Sequence, residues 1–243
     1  MIMKSIRIIY LLFALPAVIV AGCDEDCDVQ PVVSYPAPFK HVTQGLGVEM
    51  HLYPADTCKV TYYNCRNAGV RMEVTDSTLY VEADLPGLFA GSYSPVKVYV
   101  GTPELNIIRN DGEQCIYSDE TLPFEKLILK SEDTYGHLNT GDMKLDVESE
   151  WVQVISNGIS KIEVSGTTQV LDLRYYNNVG RFEGQELKAQ GVRIWHKGEN
   201  TLTVYPLYYI RGEIFSMGDV VALNRPQIVD VTEYGEGHLT IVE

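Results

Sequence analysis

Several things are scarce in this chain of 243 residues, and each scarcity excludes a class of function. Only five cysteines occur, with no C-x-x-C pair and no histidine at ligand spacing, so a structural zinc site is not expected. The five histidines, His41, His51, His137, His196 and His238, are scattered, and none falls in an H-E-x-x-H pattern. There is no G-x-S-x-G elbow, no phosphate-binding loop and no dinucleotide fingerprint, so neither a cofactor nor a metal is expected. Basic residues number 19 against 33 acidic ones, for a net charge of -14 without a basic stripe. Such a surface repels phosphate backbones, which argues against nucleic acid as a partner. The one long apolar run, Ile8 to Val20, is too short for a comfortable transmembrane helix.

Helical patterning is also missing from Leu127 onward, and what stands there instead is regular. Gly141, Gly158, Gly180, Gly198, Gly218 and Gly237 follow one another at intervals of 17, 22, 18, 20 and 19 residues. Between them lie alternating apolar runs: Met143/Leu145/Val147, Val152/Val154, Ile162/Val164, Val192/Ile194, Leu202/Val204 and Leu239/Ile241. Each reads as a strand with one buried face. A repeat of about twenty residues built from strands and turns cannot bury its apolar face alone, so stacked coils of a β-solenoid are predicted. Glycine suits the turns because positive φ costs it little, and an adjacent Asp or Asn can bond the turn amides.

The N-terminus carries an address. Lys4 and Arg7 precede the apolar run, and Ala21-Gly22-Cys23 follows it. This resembles the signal peptide and lipobox of bacterial lipoproteins, which implies cleavage after residue 22 and lipidation of Cys23. The acidic run Asp24-Glu25-Asp26, with Asp28 behind it, resembles the signal that sends Bacteroidetes lipoproteins to the cell surface. The expected partner at this end is a membrane, reached through the lipid anchor, and the expected place is the outer membrane, on the cell surface or on its periplasmic face. Residues 23–38, with Pro31, Pro36 and Pro38, read as an acidic, proline-rich tether.

Residues 39–243 are expected to form one domain. Val48/Met50/Leu52 alternate as a first strand, and Met72/Val74 and Leu79/Val81 flank Thr75-Asp76-Ser77-Thr78 as a hairpin. Leu85 to Ser94 reads as a longer loop. Turn-rich residues near Leu122 divide a less regular first part from the regular second part without dividing the core. Outside the cytoplasm Cys58 and Cys65 are close enough in sequence for a disulfide, with Cys27 and Cys115 left over.

Phe39, the strand Gly47-Val48-Glu49-Met50-His51-Leu52, Leu79-Tyr80-Val81, and Val96 to Val100 running into Thr102-Pro103-Glu104-Leu105 appear in that order. Gly141-Asp142, Gly218-Asp219-Val220, Pro226 and Gly235-Glu236-Gly237 follow. Together these resemble the family described as putative auto-transporter adhesin, head GIN domain, common among Bacteroidetes lipoproteins. The resemblance runs from Phe39 to Glu243, although the family's Gly-Ser-Gly-Asp turn signature is reduced here to Thr140-Gly141-Asp142, Ser156-Asn157-Gly158 and Met217-Gly218-Asp219. It implies an all-β, right-handed parallel β-helix whose N-terminal part can pair antiparallel strands.

Candidate chemistry is thin. Asp142, Asp146, Glu163, Asp172 and Glu183 fall where a solenoid could pair acids for glycoside chemistry, but with 33 acidic residues chance pairs are expected and a solvated acidic face is the favoured reading. Lys161, Arg174, Arg181, Lys188, Arg193, Lys197 and Arg211 show no common register with those acids. Trp151, Tyr175, Trp195 and Tyr208 are the candidate ligand-contact aromatics. Tyr175 and Trp195 lie about one coil apart, and stacked on an outer face they could grip a sugar or peptide; stacked inside they are core. The function expected is therefore non-catalytic: an envelope lipoprotein displaying a β-helical domain for adhesion or ligand binding, with a glycan or an envelope or host protein as partner. A polysaccharide-active enzyme of the β-helix type is one alternative. An envelope scaffold that adds a partner's strand to the edge of His238 to Val242 is another.

Overall fold

The computed structural model describes residues 31–63, 69–84, 95–133, 139–176 and 179–242. Among them strands and turns alternate without a helix, as the period-two apolar pattern requires. Ten short strands come first: β1 (Val32–Ser34), β2 (His41–Gln44), β3 (Val48–Pro54), β4 (Lys59–Tyr62), β5 (Val70–Thr75), β6 (Thr78–Ala83), β7 (Val96–Thr102), β8 (Ile107–Asn110), β9 (Ile116–Ser118) and β10 (Lys126–Ser131). Four long strands follow, β11 (Met143–Ser156), β12 (Lys161–Tyr175), β13 (Arg181–His196) and β14 (Leu202–Ile214). The short β15 (Val220–Ala222), β16 (Ile228–Glu233) and β17 (Leu239–Ile241) end the sheet.

All seventeen described strands join one sheet, and two ladders run through it. One proceeds β1-β4-β7-β3-β9-β11-β12-β13-β14-β15-β17. The other proceeds β5-β6-β2-β8-β10-β11-β12-β13-β14-β16. The long strands belong to both because each one bends midway. In β11 the inward residues are Met143, Leu145, Val147 and Ser149, then Val152, Val154 and Ser156, so the alternation slips by one residue at Glu150–Trp151. A straight strand would throw Val152 outward after such a slip; a corner keeps both halves facing the same interior. The sheet thereby curls around a single core, in which Met143, Ile162, Phe182, Leu202 and Val220 stack on one side and Val152, Leu171, Val192 and Ile210 on the other, all 0 % exposed.

Register follows the repeat read from the glycines. Met143 pairs with Ile162, Ile162 with Phe182, Phe182 with Leu202, Leu202 with Val220 and Val220 with Leu239, all parallel, at offsets of 19, 20, 20, 18 and 19 residues. The sheet as a whole is mixed, so it is not the purely parallel stack of a regular β-solenoid, and the antiparallel pairs lie in the less regular N-terminal part. β4 pairs antiparallel with both β1 and β7, and β5 pairs antiparallel with β6. The β5–β6 hairpin is the one predicted around Asp76–Ser77, whose positive φ values of 49° and 61° are those of a tight hairpin turn. Stacking order also departs from chain order here: β2 and β3 are sandwiched between β6 and β7 on one side and β8 and β9 on the other. Val32–Ser34, within the expected tether, are part of the sheet.

The signal segment 1–22, Cys23, the acidic run after it, Cys27, Cys65, the 85–94 loop and His137 lie outside the described residues.

Candidate functional site

Outward side chains of the second halves of β11 to β14 line up across rungs. One row holds Gln153, Asp172, Arg193, Arg211 and, on β16, Asp230. The adjacent row toward the corner holds Trp151, Val170, Gly191 and Tyr209. On the other side Arg174, Trp195 and Glu213 form the next row. Asp172, Arg174, Tyr176, Arg193, Trp195, Tyr209 and Arg211 line an open groove of about 800 Å³.

Bulges give the groove its shape. Ala189 pairs with Pro206 but Gly191 with Tyr209, so β14 carries one extra residue at this corner. The extra residue turns Tyr208 out to solvent and lays the Tyr209 ring across Gly191. Only glycine fits beneath that ring, since a Cβ at residue 191 would stand 1.9 Å from its Cζ. Gly212, at φ +139°, lets the next turn of backbone close against the carbonyl of Ile194.

Charges are held by the aromatic walls. The Arg193 guanidinium lies 5.1 Å from the centre of the Trp151 ring, and that of Arg211 lies 5.3 Å from Tyr209. Tyr176, Trp195, Phe215 and Tyr234 form a continuous aromatic ladder across four rungs, with centroid separations of 4.6, 5.7 and 5.0 Å. Lys197 sits over Trp195 at 4.6 Å. Asp172 is buried at the groove's base, where its carboxylate accepts bonds from Gln153 Nε2 at 2.8 Å and Arg174 Nη2 at 3.1 Å. The hydrogen bond and charge of Asp172 raise the pKa of Arg174 further above its ordinary value. Such a surface offers planar stacking faces and cationic forks side by side.

The chain's family membership rests on a separate comparison. The family model described as putative auto-transporter adhesin, head GIN domain, matches residues 38–226. The chain belongs to this family. Solved structures similar to this head GIN protein agree in fold. An adhesin-titled protein from Bacteroides fragilis superposes with a TM-score of 0.75 at 19 % identity, covering 88 % of this chain and 96 % of that one. A second, from Parabacteroides distasonis and also titled an adhesin, gives 0.59 at 15 % identity over 89 % and 98 % of the two chains. A third, from the same organism and titled a lipid binding protein, gives 0.55 at 15 % identity over the same shares. No curated protein matches the chain.

Of the aromatics singled out from the head GIN sequence, Trp195 lines the groove, Trp151 lies beside it under the Arg193 guanidinium, and Tyr208 is exposed beside Tyr209. Tyr175 is a correction: it is 0 % exposed and packs edge-on against His196, so it is core and touches no ligand. One residue decides this, because Tyr175 pairs with His196 while Trp195 pairs with Arg174, on the opposite face. The basic residues are a second correction. Asp172, Arg193, Arg211 and Asp230 do share a register, hidden in the sequence because bulges vary the spacing from 21 to 18 to 19 residues.

The suspected carboxylates are otherwise engaged. Asp142 Oδ1 accepts the Lys161 amide at 2.8 Å, Asp146 accepts the Thr121 hydroxyl at 2.6 Å, and Glu163 and Glu183 both face Lys161. His51 stacks between Tyr99 and Tyr117, its ring nitrogens against Asp119 and Glu49. Cys58 Sγ lies 3.7 Å from Thr102 Oγ1. Burial pushes the Cys115 thiol up to about 11.

Proposed function

We propose that this head GIN protein is an envelope lipoprotein, anchored through Cys23, whose stacked coils form a right-handed rod that displays a non-catalytic binding surface. Its ligand is a saccharide, held on the outer face of β11 to β14. The observation that carries this reading is the groove itself, whose walls set the aromatic side chains Tyr176, Trp195 and Tyr209 beside guanidinium groups. Aromatic faces match the flat apolar faces of sugar rings, and the adhesin titles of similar structures point the same way. The suspected carboxylates sit in structural hydrogen bonds and ion pairs, which gives the enzymatic alternative no supporting pair.

A glycan and protein array probed with the chain from residue 24 tests the reading. Saccharides are expected to bind, and Trp195→Ala is expected to lower affinity about tenfold or more while leaving the circular dichroism spectrum unchanged. Binding confined to proteins, or unaffected by Trp195→Ala, would overturn it.

A second reading has one observation in its favour. The inward residues of the last rung, Val229, Val231, Leu239 and Ile241, are only partly covered, whereas those of the rungs before it are buried. Strand addition at this edge by a second copy would cover them. Deleting residues 239–243 would then reduce the mass seen by light scattering.

A further inference from the structure

The charge of the groove goes further than its shape, and the inference that follows rests on the saccharide-binding reading just given. The chain carries a net charge of -14, yet the groove is lined by one carboxylate, Asp172, and three guanidinium groups, a local net of +2. Asp172 is 5 % exposed and its carboxylate is hydrogen-bonded to Arg174 and Gln153. That leaves Arg193 and Arg211.

These two arginines occupy the same row on directly paired rungs, with strand backbones about 4.8 Å apart. Both side chains are exposed, and neither makes an ion pair with a described residue, although Asp230 holds the next position in the row. Like charges directly opposite on paired strands destabilise a sheet. Elsewhere this surface matches its cations with acids: Lys40 with Glu104, Arg71 with Glu82 and Asp84, and Lys144 and Lys161 with Glu163. Acids flank the Arg193–Arg211 pair in the row, Asp172 on one side and Asp230 on the other, but neither is within ion-pair distance of these guanidinium groups. Stacking on Trp151 and Tyr209 fixes the guanidinium planes but consumes none of their N–H groups. Two preset, unpaired forks between aromatic faces are what recognition of fixed anionic groups needs.

We propose that the groove selects an anionic saccharide, whose carboxylate or sulfate groups are bound by Arg193 and Arg211 while its rings pack against the Trp195 wall. A flat anionic membrane is the poorer fit, since the groove is concave and the strongly acidic chain around it would be repelled by the bilayer surface.

The test uses the full chain, purified with its native N-terminus, in calorimetric titrations against a uronic-acid oligosaccharide, a sulfated oligosaccharide and a neutral oligosaccharide of equal length. The uronic and sulfated arms distinguish the two anion sources. At least one acidic ligand is expected to bind about tenfold or more tightly than the neutral one, and to weaken as salt is raised from 50 to 200 mM. Arg193→Gln and Arg211→Gln should each cost about tenfold, while Lys97→Gln, away from the groove, should cost nothing. Neutral sugars binding as well as acidic ones would sink the charge selection and leave the saccharide reading standing. No saccharide binding at all would sink both. Tighter binding of anionic vesicles or of a single-stranded oligonucleotide, equally sensitive to the two arginine changes, would overturn the proposal in favour of that ligand.

Discussion

At the scale of single residues, neighbours one position apart have opposite fates. Tyr175 is sealed in the core, where burial drives its hydroxyl pKa upward and leaves the hydroxyl without a hydrogen-bond partner among the described residues. Tyr176, the next residue, is half-buried on the outer face as part of the aromatic ladder. Replacing Tyr175 by Phe removes an unsatisfied buried group and should raise stability by roughly 1 kcal/mol without touching ligand affinity, as urea unfolding and calorimetry would show. His196 is the contrasting buried polar residue, because both its nitrogens are satisfied. Nε2–H donates to the Asn200 carbonyl at 3.0 Å, and Nδ1 accepts the Gly198 amide at 3.3 Å. That pattern fits the neutral ring, and burial accordingly depresses its pKa below the ordinary 6.5, against the opposing pull of the Asn200 carbonyl. The unfolded chain takes up this proton more readily than the folded one. The stability that the neutral ring contributes is therefore present above pH 6.5 and lost as the pH falls through the depressed folded value. His196→Gln should be less stable at pH 7.5 and show a flatter decline in Tm toward pH 5.5 than the parent chain.

At the scale of elements, the strand with a corner is the unit that builds this protein. Each of β11 to β14 contributes an inward row to both ladders, so a side chain in the middle of the stack is enclosed by rungs above and below. Leu171, 0 % exposed on β12, has such neighbours on both sides, whereas Val231 on β16 has them on one. Leu171→Ala should cost about 2–5 kcal/mol and Val231→Ala less than about 1 kcal/mol in chemical denaturation. Equal costs would mean that the last rung is covered in solution. The elements were largely readable beforehand: the alternation at Val48 to Leu52, the hairpin at Asp76–Ser77 and the spacing of rungs all match the sequence. Bulges were not readable, because an extra residue such as that beside Tyr208 leaves the apolar alternation intact on either side while shifting every outward row by one.

At the scale of the whole molecule, net charge sets the background for the groove. A net charge of -14 makes copies of the chain repel one another, and it makes the local excess of cations in the groove the more conspicuous. If Cys23 carries lipid, the chain should partition with membranes and release into the soluble fraction when Cys23 is changed to Ala. Labelling with a fatty acid and fractionation of the producing cells would measure this, and a Cys23→Ala chain that stays membrane-bound without label would refute the anchor. The antiparallel strands β1, β4 and β5 flank the other end of the ladders, opposite β16 and β17, so the two ends of the sheet differ in kind.

By itself the sequence determined the all-β character, the rung length near twenty residues, the family and the outline of the core, because alternation and turn glycines are local and survive any arrangement of the strands. Only the tertiary structure decided which outward residues meet: Asp172, Arg193 and Arg211 become neighbours, and Tyr175 parts from Trp195, through bulges and corners that shift the phase of each rung against the next. The insertion of β2 and β3 between β6–β7 and β8–β9 was decided there too, since which earlier strand a rung joins depends on the stack already formed and not on the residues between them.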